Sequence, residues 1–220
     1  MSFWKKDPPP PPVEWRVRAA MLPSMFVADT EFPGKRDPIF VTPKQIGVMH
    51  LPTGQIIVGG LITMIDFVPL TRQAAKGDFP IEISLAEIKK DETRIAAMRI
   101  VFSQEPVASW EVATGGSGAT DTAPNGTPGY KGSSGIYLDA QTGPLLKTYV
   151  DETDHAAWWD DVPKVEGDLW EHACFQPDEQ RPETCALVST GFYDGVFVSY
   201  WGLDARGEPV TLMTDFNVIP

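Results

Sequence analysis

The sequence is poor in the residues that carry most enzyme chemistry. It holds 3 histidines and 2 cysteines in 220 residues. No two of His50, His155 and His172 stand at the H-x-x-x-H spacing that sets two imidazoles on one helix face around a metal. No metal site and no cofactor are expected. A G-x-S-x-G nucleophile elbow is missing, and the nearest stretch, "STGFYDG" from Ser189 to Gly195, has no nucleophile at its centre. Calcium would need a D-x-[DN]-x-[DN]-G loop, which is also absent. Long apolar runs are lacking as well: the longest, Ile56 to Val68, is broken by Gly59, Gly60, Thr63 and Asp66, short of the ~18 residues of a membrane-spanning helix. Positive charge is scarce, with 18 basic against 30 acidic side chains and a formal charge of -12. Such a field repels nucleic-acid phosphates and anionic membranes over roughly 8 Å. Nucleic acid and membrane are thereby excluded as partners, and a basic protein is favoured. Solubility alone would account for the same charge.

The apolar fraction of 42% is enough to build a core, and the chain is read as a tail, residues 1–15, followed by one domain over residues 16–220. The tail "MSFWKKDPPPPPVEW" places five prolines, Pro8 to Pro12, where a signal peptide would place its apolar stretch. A cytoplasmic location is expected. The prolines favour an extended polyproline helix, a spacer in the ordinary reading and a ligand for an aromatic groove in the sharper one. Cys174 and Cys185 flank "FQPDEQRPET", a loop short enough for a disulfide, but free thiols are the expectation in a reducing compartment.

Val13 to Val112 reads as short β-rich runs separated by Pro and Gly. "QIGVMHLPTGQIIVGG" predicts a hairpin turning at Leu51 to Gly54, with Pro52 fixing φ and Gly54 tolerating a positive one. Ile81, Ile83 and Leu85 alternate with Glu82 and Ser84, and "TRIAAMRIVFS" follows a charged turn, which predicts a second hairpin. Residues 115–135, "GGSGATDTAPNGTPGYKGSSG", hold almost nothing to bury and predict a mobile loop; their glycines match no phosphate-cradle pattern. "GIYLDAQTGPLL" predicts a strand and a turn. "DETDHAAWWDDV", Asp151 to Val162, predicts a helix with acidic residues in its first turn and Pro163 after its end, and a second short helix is expected over Asp168 to Cys174. The last segment returns to strands: Val196, Val198 and Tyr200 alternate with Phe197, Ser199 and Trp201, and after "GLDARGE" Val210, Leu212 and Thr214 alternate with Thr211 and Met213. Gly202 and Gly207 are expected to serve that turn, and Asp204 to accept bonds from its backbone. The fold class expected is mainly β, a sandwich or partly open barrel with one or two short helices, with α+β as the alternative.

Two constellations stand out. Trp158 and Trp159 diverge by ~100° on a helix and cannot both face one core, so one of them, rimmed by Asp160 and Asp161, is expected at a partner contact. The competing reading packs both. His155 with Asp151 could form a carboxylate-oriented base, though an i,i+4 pair on a helix surface is the ordinary reading. Asp215 lies within a strand, where Asp is disfavoured, and Asp194 guards a strand entrance.

"LPTGQIIVGG", "FPIEISLAEI", "DETRIAAMRIVFSQEPVASWEVA", "YLDAQTGPLL" and "TGFYDGVFVSYWGLDARGEPVTLMTDFNVI" together resemble the bacterial family called domain of unknown function 4241, in the same order from Leu51 to Ile219. Tyr193 stands where that family often has glycine. The resemblance implies a shared fold and no activity. It also implies that Asp139, Asp194 and Asp215 match acidic positions of the family, candidates for a polar site or for turn caps and buried hydrogen-bonded carboxylates. Two functions remain. One is an acidic module binding a basic protein, such as an immunity protein that neutralises a toxin or effector; the alternative is a hydrolase-like or small-ligand-binding enzyme using the three carboxylates.

Overall fold

The structure, a computed structural model, describes residues 14–60, 67–116, 121–123, 126–152, 162, 164–167, 169–178, 180, 182 and 184–220. Two antiparallel sheets pack face to face. The larger contains nine strands: β1 (Thr30–Phe32), β2 (Ile39–Leu51), β4 (Gly77–Lys89), β5 (Glu92–Val101), β6 (Ser109–Val112), β7 (Asp121–Thr122), β8 (Pro128–Gly132), β13 (Gly195–Leu203) and β14 (Pro209–Asp215). The smaller contains five, in the order β10 (Val165–Gly167), β11 (Trp170–Phe175), β12 (Cys185–Ser189), β9 (Ser134–Asp139) and β3 (Ile56–Gly59). The mainly β reading holds, in its sandwich form with two short helices.

Alternation builds the core between the sheets. Ile81 and Ile83 of β4, Met98 and Ile100 of β5, Leu212 of β14 and Trp201 of β13 meet Ile56, Val58, Tyr137, Ala186 and Val188 of the smaller sheet. The outer face of the larger sheet is closed by α1 (Trp15–Met21) and the 3-10 turn Leu22–Phe26 that follows it, through Ala19, Leu22, Met25 and Phe26. The outer face of the smaller sheet is closed in part by α2 (Gly143–Glu152), through Leu146. Strand β9 is therefore covered on both sides, which explains its nearly unbroken run "SGIYLD".

The charged turn after β4 makes the expected hairpin with β5, and β13 pairs with β14 as expected. In the latter turn Asp204 accepts from the N–H groups of Arg206 at 2.8 Å and Glu208 at 2.9 Å, and Gly207 takes φ +84°. Gly202 does not serve that turn: it lies within β13, where a Cβ would come 2.8 Å from Thr211 and 3.0 Å from Trp110.

Other expectations are corrected. The chain bends at Pro52 and Thr53, with Gly54 at φ +74°, but β2 pairs with β4 in one sheet and β3 with β9 in the other, so no hairpin forms there. Pro52 and Gly54 specify a turn; they do not specify which strand is met afterwards. Val13 to Val112 is not all β, because Trp15, Ala19 and Leu22, at i, i+4 and i+7, form the apolar stripe of α1 and its extension. After β9 the chain enters α2 where a turn was expected. Pro144 suits a first helical turn, whose N–H groups have no partner within the helix. Asp151 and Glu152 therefore lie within α2, which begins at Gly143, and the rest of the expected helix, apart from Val162, lies outside the described residues. Asp168 to Cys174 is not a second helix: Trp170–Phe175 pairs on both edges, with β10 and β12. Within 115–135, β7 and β8 join the larger sheet, and Tyr130 is buried against the Phe197 ring at 5.8 Å.

Candidate functional site

The three candidate aspartates stand in three different settings. Asp215 shares the outer face of β14 with Met213 and is buried. Arg18 of α1 reaches it with two donors, Nε to Oδ2 and Nη2 to Oδ1, the latter at 2.8 Å, and gives a third to the Pro220 carbonyl at 3.1 Å. The Asn217 N–H adds a bond of 2.9 Å to the same carboxylate. Burial pulls the Arg18 pKa down, but the hydrogen bond and charge of Asp215 outweigh it and hold the guanidinium above its ordinary value. The same burial, with Asp215 nearby, pushes the neighbouring Tyr200 phenol up.

Asp139 ends β9 and is fully buried. It accepts from the Thr53 N–H at 3.0 Å, the Thr53 hydroxyl at 2.7 Å and the Gln141 N–H at 2.9 Å. Its carboxylate ties the turn after β9 to the turn after β2, so its work is to fasten two loops. Asp194 lies exposed in the turn before β13, with no side-chain hydrogen bond or ion pair among the described residues. No partner is common to the three, and the geometry shows no shared polar site built from them. Trp158, Trp159, Asp160, Asp161 and His155 lie outside the described residues. Among the described residues no group of three or more His, Cys, Asp or Glu side chains could hold a metal.

A family model described as "Protein of unknown function (DUF4241)" matches residues 49–214, well over half of the chain. The chain belongs to this family. No curated protein and no solved structure matches it. The match in this DUF4241 protein covers Asp139 and Asp194 and stops one residue before Asp215, so the Arg18–Asp215 pair fastens a helix that precedes the matched region to the strand at its end.

Two features of this DUF4241 chain were not proposed as sites from sequence, although Tyr193 was noted as standing where the family often has glycine. The first is His172, which is 4% exposed with neither ring nitrogen bonded, stacked at 5.8 Å on Trp170, whose other neighbour is the Lys44 ammonium at 4.9 Å. Burial, and then the Lys44 charge, lower its pKa to about 4, so the ring is neutral at pH 7. The aromatic character of Trp170 was visible, but the strand that aligns it with His172 was read as a helix. The second is the pair Phe192 and Tyr193, 54% and 51% exposed on the turn that carries Asp194. Adjacent aromatics in a Gly- and Asp-bounded turn are a signal that reading the aspartates alone passed over.

The two cysteines are free. Cys185 opposes Phe175 across the β11–β12 ladder and shares its face, in the cluster under α2. Cys174, one residue earlier, projects from the other face toward Gly47 and Val48, so the two thiols diverge. Burial pushes both thiols above their ordinary pKa, away from the reactive thiolate. No helix among the described residues is long and apolar enough to cross a membrane.

Proposed function

We propose that this DUF4241 protein is an acidic protein-binding module of the immunity type, acting in the cytoplasm to neutralise a basic bacterial toxin or effector. The observation that carries the reading is the employment of the buried aspartates. Asp215 is spent on Arg18 and Asp139 on the Thr53 and Gln141 turns, so neither is held apart for acid–base work. The formal charge of -12 is then expressed outward, where it speeds capture of a cationic partner and discriminates against acidic ones. The enzyme alternative needs coupled carboxylates at one rim, and it draws no support from three aspartates without a common partner.

The test is co-expression with the product of the adjacent gene. The expected outcome is a complex that co-purifies, weakens about tenfold or more when salt is raised from low to high ionic strength, and restores growth to cells poisoned by that product. No complex and no rescue would end this reading.

A further inference from the structure

We propose that the turn Gly191–Gly195 is the point at which an arginine side chain of the basic partner is received, its guanidinium laid against Phe192 and Tyr193 with Asp194 as counter-charge. This rests on the reading that the protein binds a basic protein, and it names where and by what chemistry.

The turn is built to hold its shape. The Tyr193 N–H donates to the Thr190 carbonyl at 2.8 Å, the Thr190 hydroxyl donates to the Tyr193 carbonyl at 2.8 Å, and the Gly191 N–H donates to the Ile95 carbonyl at 3.2 Å. Gly191 admits no side chain, because a Cβ would lie 2.5 Å from Val218 and 2.8 Å from the Phe216 carbonyl oxygen. Tyr193 sits at φ +74°, a left-handed conformation that opposes any bulky side chain and that glycine would adopt without strain. A ring that is 51% exposed contributes little to the core in return. Strain of this kind, held by a rigid surround and offset at the ring by the Arg94 guanidinium, points to a use for the side chain.

Its chemistry is that of cation capture. The Arg94 guanidinium lies 5.6 Å from the Phe192 centroid and 5.2 Å from that of Tyr193, which shows that the two rings accept a guanidinium from within the fold. Glu92 pairs with Arg94 at 3.2 Å and with Lys89 at 2.8 Å, and the turn presents outward two half-exposed rings and the carboxylate of Asp194, which has no ion pair among the described residues. Arginine suits this better than lysine, since a planar, weakly hydrated guanidinium stacks on a ring while bonding a carboxylate.

The experiment is an NMR titration of the full chain with N-acetyl-arginine amide, with the neutral isostere N-acetyl-citrulline amide as control. Shifts centred on residues 190–196 are expected with arginine and not with citrulline. Affinity should fall about tenfold in Tyr193→Gly and about threefold in Asp194→Asn. Tyr193→Gly suits the positive φ, so thermal unfolding no earlier than that of the wild type shows that the loss is of binding and not of folding. Equal response to citrulline, shifts elsewhere, or unchanged affinity in Tyr193→Gly overturns the assignment. Growth rescue by the Tyr193→Gly chain would sink the turn while leaving the immunity reading intact; arginine capture at the turn without any rescue would do the reverse.

Discussion

The two faces of the larger sheet are made by alternate residues of the same strands, yet they are closed in different ways. The inner face is mainly apolar bulk, with Ile83, Ile100 and Leu212 meeting Val58, Tyr137 and Val188 of the other sheet, and its buried hydroxyls bond one another, Tyr137 to Thr214 at 2.6 Å and Thr214 to Ser199 at 2.7 Å. The outer face carries Ser84, Arg99 and Asp215, residues that belong in water, and each is met by a named group of the first helical segment or its neighbours. Ser84 donates to the Met25 carbonyl at 2.6 Å, Arg99 lies 4.2 Å over the Phe26 ring while pairing with Glu82, and Asp215 takes Arg18. The difference teaches that area dominates the inner face, whose few hydroxyls bond among themselves, while the polar and charged groups of the outer face depend on partners brought by the helical segment before β1, since a buried polar group is costly only when its partner is missing.

The largest test of that contrast is Arg18→Ala. It leaves the Asp215 carboxylate buried without a cation, and the expected loss is about 3–5 kcal/mol in urea unfolding. The double variant Arg18→Met with Asp215→Leu should recover most of that loss, because removing both charges also removes the desolvation they oppose. If the double variant is no more stable than the single one, the outer face depends on the pair for more than charge balance.

How much of this was legible follows the range of the interactions. The alternation of Ile81, Ile83 and Leu85 and the strands around Asp204 were readable, since a hairpin places its partners a few residues apart. The β3–β9 pairing was not, because turn chemistry at Pro52 and Gly54 is local while Ile56 finds Asp139 far along the chain. Asp215 stood out in the sequence as a misfit in its strand. Its role depends on Arg18, 197 residues away, in a helix whose stripe of Trp15, Ala19 and Leu22 was overshadowed by the prolines before it. Of the candidate sites, the Asp194 turn was noticed for its acid, while the exposure of its rings and the positive φ of Tyr193 are properties of the folded chain.

A second test bears on the inner side, which holds one histidine. His172 is a base whose folded pKa of about 4 lies below its unfolded value of 6.5, so the unfolded chain binds the extra proton first as pH falls. Its contribution is fully present above about pH 6.5 and is lost as the pH drops toward 4. The charged group facing it is the Lys44 ammonium of β2, which works in the same direction. The expected loss across that window is about 2–3 kcal/mol. His172→Phe keeps a ring to stack on Trp170 and removes the titration. The difference in unfolding free energy between wild type and variant should therefore change over this window, and a flat difference would mean that the ring is not held neutral.

The smallest effect separates two residues that are adjacent in sequence. Ser84 follows Ile83 in β4 and points the other way, fully buried beneath Met25, and its hydroxyl is the only group it contributes there. Ser84→Ala keeps the volume close to native and takes one donor from the Met25 carbonyl, so about 1 kcal/mol should be lost. Ser84→Val adds apolar bulk at the same point; if the outer face were closed by area alone it would be at least as stable as the wild type. A Val variant less stable than the Ala variant would show that the fit of Leu22–Phe26 on the sheet is set by that bond and by the space a serine leaves, because the added methyl groups would have to push the 3-10 turn away from β4.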